Sequence, residues 1–303
     1  MNGGIEMLEL RVLMYFLMVC ETENITKAAE RLHLTQPTLT RQMHDLEEEL
    51  GVILFIRGKR KTTLTEEGRL LKKRAEEMKL LMEKTQSELT NFDEVMEGDV
   101  HIGCAETDGM RQVARVISRI QEEYPRIHFH MTSGNEAEVL ERLDKGLLDF
   151  GVLISPGHLS RYDFLRFSEK DIWGVLMKKG SPLASCHEIS MNDLEGAPLI
   201  VSRQADANKE LDDWFGGKRN TLDIRADYNL IFNAVLLVEE GVGYALSLDR
   251  LVRVSDYSSS LTFRPLTPTV EASIYCIWQK NQIFSKAALY FKRELEKEVK
   301  GDG

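Results

Sequence analysis

Cysteine, base and long apolar runs are all in short supply in this 303-residue chain, and each shortage excludes something. The four cysteines (Cys20, Cys104, Cys186, Cys276) are far apart, with no C-x-x-C and no zinc-like pairing. They read as buried reduced thiols; a redox-sensing pair is the alternative, and no spacing supports it. No apolar run approaches the roughly 20 residues needed to span a bilayer. The stretch Val12–Val19 has no basic leader and no small-residue cleavage site, so no export signal is expected and a cytoplasmic location is. Lysine and arginine total 39 against 49 aspartates and glutamates, a formal net charge of -10. That balance argues against nonspecific coating of nucleic acid, but not against binding through one local patch. No dinucleotide-binding glycine motif, P-loop or G-x-S-x-G stands out. Ser247 and Asp249 with a distant histidine do not make a triad, so no enzyme is expected.

What is present is ordinary for a folded protein: 43% hydrophobic and 29% charged residues. The length predicts two domains, or three, at roughly 100–200 residues each. Charge is sorted along the chain. Between Gly51 and Thr65 there are four basic residues (Arg57, Lys59, Arg60, Lys61) and no acidic one.

Leu10, Leu13, Leu17 and Cys20 recur at helical spacing and predict a helix over Leu8–Cys20. Asn24 or Thr26 can cap a second helix, whose Ala28, Ala29 and Leu32 form a tight inner face. A short polar turn follows, and Pro37 falls in the first turn of a third helix, where its missing N–H is no loss. Leu39, Met43, Leu46 and Leu50 make the buried stripe of that helix. Thr38, Thr40 and Arg41 lie off the stripe near its start, and Asp45, Glu47, Glu48 and Glu49 crowd its far end. This is the helix-turn-helix plan, in which the start of the second helix of the pair meets base edges. "GVILFIRGKRKTTLTEEG" then predicts a β-hairpin with a basic tip, placed to reach phosphates or a minor groove. A helical protein–protein module with a solvated charged face is the competing reading.

"NITKAAERLHLTQPTLTRQMHDLEEELGVILFIR…LTEEG" resembles the winged helix-turn-helix of the LysR-type transcriptional regulators over some sixty ungapped positions. The resemblance implies major-groove contacts from Pro37, Thr40 and Arg41, and backbone or minor-groove contacts from Arg57 and the wing tip. With their neighbours, the expected DNA-binding residues are Thr26, Gln36, Pro37, Thr38, Thr40, Arg41, Arg57, Lys59 and Arg60.

Leu71, Ala75, Met78, Met82, Thr85, Leu89 and Phe92 then alternate in steps of four and three, a heptad seam on a helix about 40 Å long. The seam predicts antiparallel or side-by-side pairing with a second subunit, with packing on its own chain as the alternative. The resemblance favours pairing, and with it a dimer or a tetramer of paired dimers.

From Gly98 strand-like and helix-like segments alternate, which predicts α/β layers with a mostly parallel sheet and a ligand crevice at strand C-terminal ends. "EEYPRIHFHMTSGNEAEVLERLDKGLLDFGVLI", "GAPLIVS" and "VEEGVGYALSL" resemble the family's regulatory subdomains. The architecture implied is α/β overall: a winged helix-turn-helix (1–65), a linker helix (66–97) and a two-lobed domain of periplasmic-binding-protein type (98–303). Lobe I would comprise about 98–158 and 268–303 and lobe II about 159–267. The chain would cross near Ser155–Tyr162 and return near Pro265–Val270. The positions matching the family's effector cleft are Cys104, Ala105, Glu106 and Thr107; Thr132, Ser133 and Gly134; Val201, Ser202 and Arg203; and Gly243 and Tyr244. Glu106 and Asp108 depart from the commonest pattern by bringing negative charge, and "MRQVARV" lacks the Leu-Pro pair many members carry. The effector is therefore expected to be neutral, to carry an amine, or to be held by Arg203.

No cofactor and no metal are expected. His128 and His130 share one strand face through simple alternation, with no third ligand evident. Double-stranded DNA, a small-molecule effector and RNA polymerase are the partners implied. A solute-binding component and an enzyme with a DNA-binding appendage are the rival functions. The first is opposed by the missing export signal and the N-terminal sixty-five residues, the second by the missing catalytic set.

Overall fold

The computed structural model describes residues 8–58, 61–90, 96–157, 159–203, 209–254 and 260–301. The chain divides into two compact units, Met1–Gln86 and Ser87–Gly303.

In the first unit α1 (Leu10–Thr22), α2 (Ile25–Arg31) and α3 (Gln36–Leu50) precede a hairpin of β1 (Phe55–Arg57) and β2 (Thr62–Leu64), and α4 (Glu66–Thr90) follows. Asn24 is the cap of α2, its side chain accepting from Lys27 N–H at 3.0 Å. His33 takes the left-handed conformation (φ 55°) in the turn between α2 and α3, and Leu34 N–H donates to the Ala29 carbonyl at 2.9 Å. Ala28 and Ala29 are buried and bring only methyl groups to the helix interface.

The stripe expected on α1 is rotated. Leu13, Phe16 and Val19 are buried, whereas Leu10 is 46% exposed. Most positions of α1 are apolar, so periodicity alone does not choose a face; the Phe16 ring, 5.2 Å from that of Phe55, does. On α3 the stripe holds for Leu39, Met43 and Leu46 but ends before the exposed Leu50. The heptad seam on α4 is divided. Ala75 is buried and Leu71 partly buried in the helix-turn-helix core, while Met78 is exposed, as are Leu70 and Leu81 beside the seam. The Leu89 side chain and Phe92 lie outside the described residues. Gly68 lets α4 start tight against the residue that leads into β1: a Cβ there would lie 2.2 Å from the Leu54 carbonyl oxygen.

One of the acids at the far end of α3 turns inward. Glu47 Oε1 accepts from Leu54 N–H at 2.8 Å and from Phe55 N–H at 3.1 Å, so α3 holds the first strand of the hairpin by two backbone bonds to one carboxylate.

The second unit contains β3 (Gly98–Cys104), α5 (Met110–Glu123), β4 (Ile127–Ser133), α6 (Glu136–Asp144), β5 (Phe150–Ile154) and β6 (Tyr162–Lys178). It continues with β7 (Pro198–Ser202), α7 (Lys209–Phe215), β8 (Asp223–Tyr228), α8 (Ile231–Glu239), β9 (Tyr244–Leu248), β10 (Leu261–Pro265), β11 (Glu271–Gln279) and α9 (Lys286–Lys300). One sheet runs in the order β4-β3-β5-β11-β6-β9-β7-β8, with β10 beside β6. β3 is parallel to β4 and β5, and β7 to β8 and β9. Pairs through β6, β10 and β11 are antiparallel, so the sheet is mixed and not mostly parallel as expected: the parallel sets β4-β3-β5 and β8-β7-β9 flank an antiparallel middle.

Where two strands were expected, Leu165–Phe167 and Ile172–Met177, β6 is a single strand of 17 residues. The polar run Ser168–Asp171 hides the continuity in the sequence. The first part of β6 pairs with β11 and the last with β9 and β10. β6 therefore runs from the core that holds Phe167 to the core that holds Trp173, passing between the lobes near Lys170–Trp173.

Lobe I buries Ile102, Val113, Ile120 and Phe150 under α5 and α9, with Phe291 in the same core. Lobe II buries Trp173, Val175, Leu199 and Phe215. Each such side chain contributes about 1.5–3 kcal/mol through removal from water. All four cysteines are free thiols, and burial pushes Cys20 up to about 12.

Glu47→Ala strands the Leu54 and Phe55 amides. Denaturant titration is expected to show a loss of about 1–3 kcal/mol, against little change for Glu48→Ala. Equal effects of the two would refute the role given to Glu47.

Candidate functional site

The first turn of α3 contains no acidic residue, so the positive end of its dipole is unopposed there. Gln36, Pro37, Thr38 and Arg41 are exposed and Thr40 is half-buried. Thr35 caps the helix, its hydroxyl 2.8 Å from that of Thr38, and Gln36 Nε2 donates to Thr40 Oγ1 at 3.0 Å. Arg41 Nε lies 3.7 Å from Asp45 one turn on. An exposed pair of this kind is weak, so the guanidinium can exchange Asp45 for a base edge or phosphate. Thr26 is exposed near the start of α2.

Arg57 pairs with Thr62 in the hairpin; its side chain, and Lys59 and Arg60, lie outside the described residues. Gly58 N–H donates to the Lys61 carbonyl at 3.0 Å, and a Cβ on Gly58 would meet that oxygen at 2.7 Å. Lys61 forms an ion pair with Glu23 at 2.7 Å, and Thr62 N–H donates to the Glu23 carbonyl at 2.9 Å. The wing is thus fixed to the corner between α1 and α2 as well as to α3.

In the second unit the lobes meet where β3 ends. Ala105 and Ile154 of lobe I are buried in one cluster with Trp173, Leu248 and Val270. Glu106 reaches across to α8: its Oε2 accepts the Ile231 N–H at 2.5 Å. Burial pushes the Glu106 carboxyl above its usual range, and the Ile231 amide partly offsets this. Thr107 is buried, and its hydroxyl donates to Asp171 on β6. Between the lobes Glu106, Trp173, Ser202, Tyr228, Asn229, Leu248 and Leu251 line a cavity of about 10 Å³. That is room for roughly one water.

Of the expected cleft residues, Glu106 and Ser202 line this cavity. Cys104 is buried with its Sγ 3.7 Å from the Thr132 carbonyl, and burial raises its thiol. Thr132, Ser133 and Gly134 end β4 and do not line it, and Gly134 N–H is tied to the Cys104 carbonyl at 3.1 Å. The Val201 side chain is buried in the lobe II core. Arg203 does not stand free: its Nε lies 2.6 Å from Asp227. Gly243 and Tyr244 do not line this cavity. Tyr244 registers with Leu199 near the start of β7, whereas Ser202 is its end, so the pair sits at the wrong end of the strands. The crevice forms at C-terminal ends, and Leu248, the last residue of β9, and Leu251 beyond it supply that wall. Trp173, Tyr228 and Asn229 also went unrecognised, because apolar runs such as "IWGVLM" read as core.

Residues 10–69 match the family described as bacterial regulatory helix-turn-helix protein, lysR family, and residues 93–300 match the LysR substrate binding domain. The chain belongs to the LysR family. It is 28% identical over 287 residues to the uncharacterised HTH-type transcriptional regulator YybE of Bacillus subtilis (strain 168), covering 94% of this chain and 97% of that one. It is 34% identical over 199 residues to the regulator BsdA of the same organism, covering 65% and 67%. The crystal structure of CbnR, a LysR family transcriptional regulator, superposes with a TM-score of 0.71 at 20% identity, covering 96% and 99%. The protein is thus a LysR-family transcriptional regulator with a DNA-binding and an effector-binding domain; the family is one of regulators, not enzymes.

In this LysR-family member the crossing between lobes is also a charge cluster. Arg250, in the left-handed conformation (φ 62°), has Asp249 at 3.0 Å, Asp171 at 2.9 Å, Asp108 at 3.4 Å and Glu169 at 3.9 Å. Asp108, whose charge was expected to oppose anions in the cleft, is also paired with Arg111 at 2.7 Å. Asp171 is fully buried, and desolvation, with Asp249 and Asp108 nearby, pushes it up to about 6 in spite of Thr107 and Arg250. A raised folded-state value means the folded protein holds this proton more tightly. The resulting stabilisation is full below the unfolded value near 4 and is lost as pH rises to about 6. Asp171→Asn removes that dependence. In denaturant titrations the variant should gain about 1–3 kcal/mol on the parent between pH ~4 and ~6. A constant difference would contradict the assignment.

Proposed function

We propose that this LysR-family regulator reads a two-fold related DNA site with the first turn of α3 from each of two subunits. The wing steadies each head on the backbone. In this reading residues 1–65 bind DNA, 66–97 join subunits and 98–303 take a small effector between the lobes. The observation that carries it is the exposed, acid-free start of α3, with Gln36, Thr38 and Arg41 presented together. Thr40, Pro37, Thr26, Arg57, Lys59 and Arg60 complete the contact set. The structure of full-length CbnR with its target DNA, similar to this chain with a TM-score of 0.71 at 19% identity, supports the same use of the fold here.

Leu70, Met78 and Leu81 are exposed on α4, and their spacing of eight and three keeps them on one face. A second subunit's helix covers such a stripe. Dimers that pair again give a tetramer with four DNA-binding heads. Effector binding favours one arrangement of lobes and subunits over another, changing the spacing of the heads and the register of contacts with RNA polymerase. The setting is cytoplasmic; among the described residues no helix is long and apolar enough to cross a membrane.

Arg41→Ala is expected to weaken binding to the region upstream of the protein's own gene by about 1–3 kcal/mol in a gel shift. Undiminished binding would overturn the assigned recognition helix. Lys59→Ala or Arg60→Ala should instead weaken binding on most sequences and lower the salt slope by about one each. An unchanged slope would exclude them from the phosphates.

A further inference from the structure

Two groups at the lobe junction have unfinished hydrogen bonding. Glu106 uses Oε2 to accept the Ile231 N–H, and among the described residues no arginine or lysine forms an ion pair with it. The other two charges once considered for this cleft are accounted for. Asp108 is paired with Arg111 and Arg250, and Arg203 with Asp227. A carboxylate offers about four acceptor positions, so the Ile231 amide orients Glu106 without saturating it. The second group is Trp173, 1% exposed, whose Nε1–H is buried without an acceptor. A buried donor left unpaired is destabilising, and an acceptor that reaches it relieves that cost. Trp173 and Glu106 line the same small cavity, together with Ser202 and Tyr228.

We propose that Glu106 is the specificity-determining residue of the cleft: it receives a cationic N–H group of the effector, while Trp173 donates to an uncharged acceptor on the same molecule. This rests on the reading of the lobe junction as the effector site and names the ligand class it takes. The charge arithmetic favours a cation. A unit charge about 5 Å from Glu106 at an effective dielectric near 20 changes affinity roughly a hundredfold, in favour of an ammonium and against a carboxylate. Aromatic lining also suits a cation and not an anion. Burial lifts the Glu106 carboxyl above its usual range, and an arriving cation would offset that desolvation by favouring the ionised form. A cavity of about 10 Å³ admits no such molecule while the lobes are shut. Binding therefore has to part them, which couples occupancy to lobe position.

The test uses the full chain and two probes of equal length ending in the same primary amide: γ-aminobutyramide, a cation, and succinamate, an anion. Isothermal titration should show γ-aminobutyramide binding in the millimolar range and succinamate not binding. Glu106→Gln should weaken the cation at least about tenfold, and Trp173→Phe should weaken it while leaving the preference for the cation intact. Glu48→Gln removes an equal charge from an exposed site on α3 and should change nothing, which separates the cleft from general attraction to an acidic protein. Should Glu106→Gln fail to fold, Glu106→Asp keeps the charge but draws it back from Ile231, and the same weakening is expected. The proposal is overturned if succinamate binds the parent as well as the cation does. It is equally overturned if the cation does not bind, or if its affinity is unchanged at Glu106→Gln. The gel shift without probe reports on the DNA-binding reading alone. Loss of the cation response with DNA binding intact sinks this inference and leaves the regulator assignment standing.

Discussion

Two antiparallel strands, β6 and β11, carry the chain between the lobes, and they are hydrogen-bonded to each other as they do so. Relative movement of the lobes is therefore the twisting of a two-stranded ribbon and not the swing of a free linker. The ribbon is braced by charge. Arg250 serves carboxylates from lobe I, from β6 and from lobe II, and any change of lobe angle has to redistribute those partners.

Much of the acidic excess that argued against binding a polyanion is placed in structural roles. Glu47 accepts backbone amides, Glu23 fixes Lys61, and Asp108, Asp171 and Asp249 surround Arg250. The first turn of α3 is kept clear of acid. Net charge alone thus predicts little about this chain's partners; the position of each charge along its element predicts more.

The elements were legible in the sequence because periodicity and caps are local. The short unbroken apolar run Phe150–Ile154 and the amphipathic run from Met110 are β5 and α5. What was hidden depended on the fold as a whole. The face of α1 is chosen by Phe55, far away in sequence, and the continuity of β6 is masked by its polar middle. Glu106 was visible as a departure from the family pattern, but its partner, the Ile231 amide, carries no side-chain signal at all. Arg203 looked available only because Asp227 lies on a different strand. Gly243 and Tyr244 were placed in the cleft by motif, whereas strand direction puts them at the opposite end of β9 from it.

Glu47 has a consequence for the way an operator is measured. It bonds α3 to β1, and Glu23 bonds the other strand of the hairpin to the α1–α2 corner, so helix and wing behave as the two fixed jaws of a calliper. A calliper reads one gauge. On the proposed reading, the separation within a half-site between the bases met by the helix and the backbone met by the wing would then be set by the protein. Variation among natural targets would have to be absorbed between half-sites or by deformation of the DNA itself.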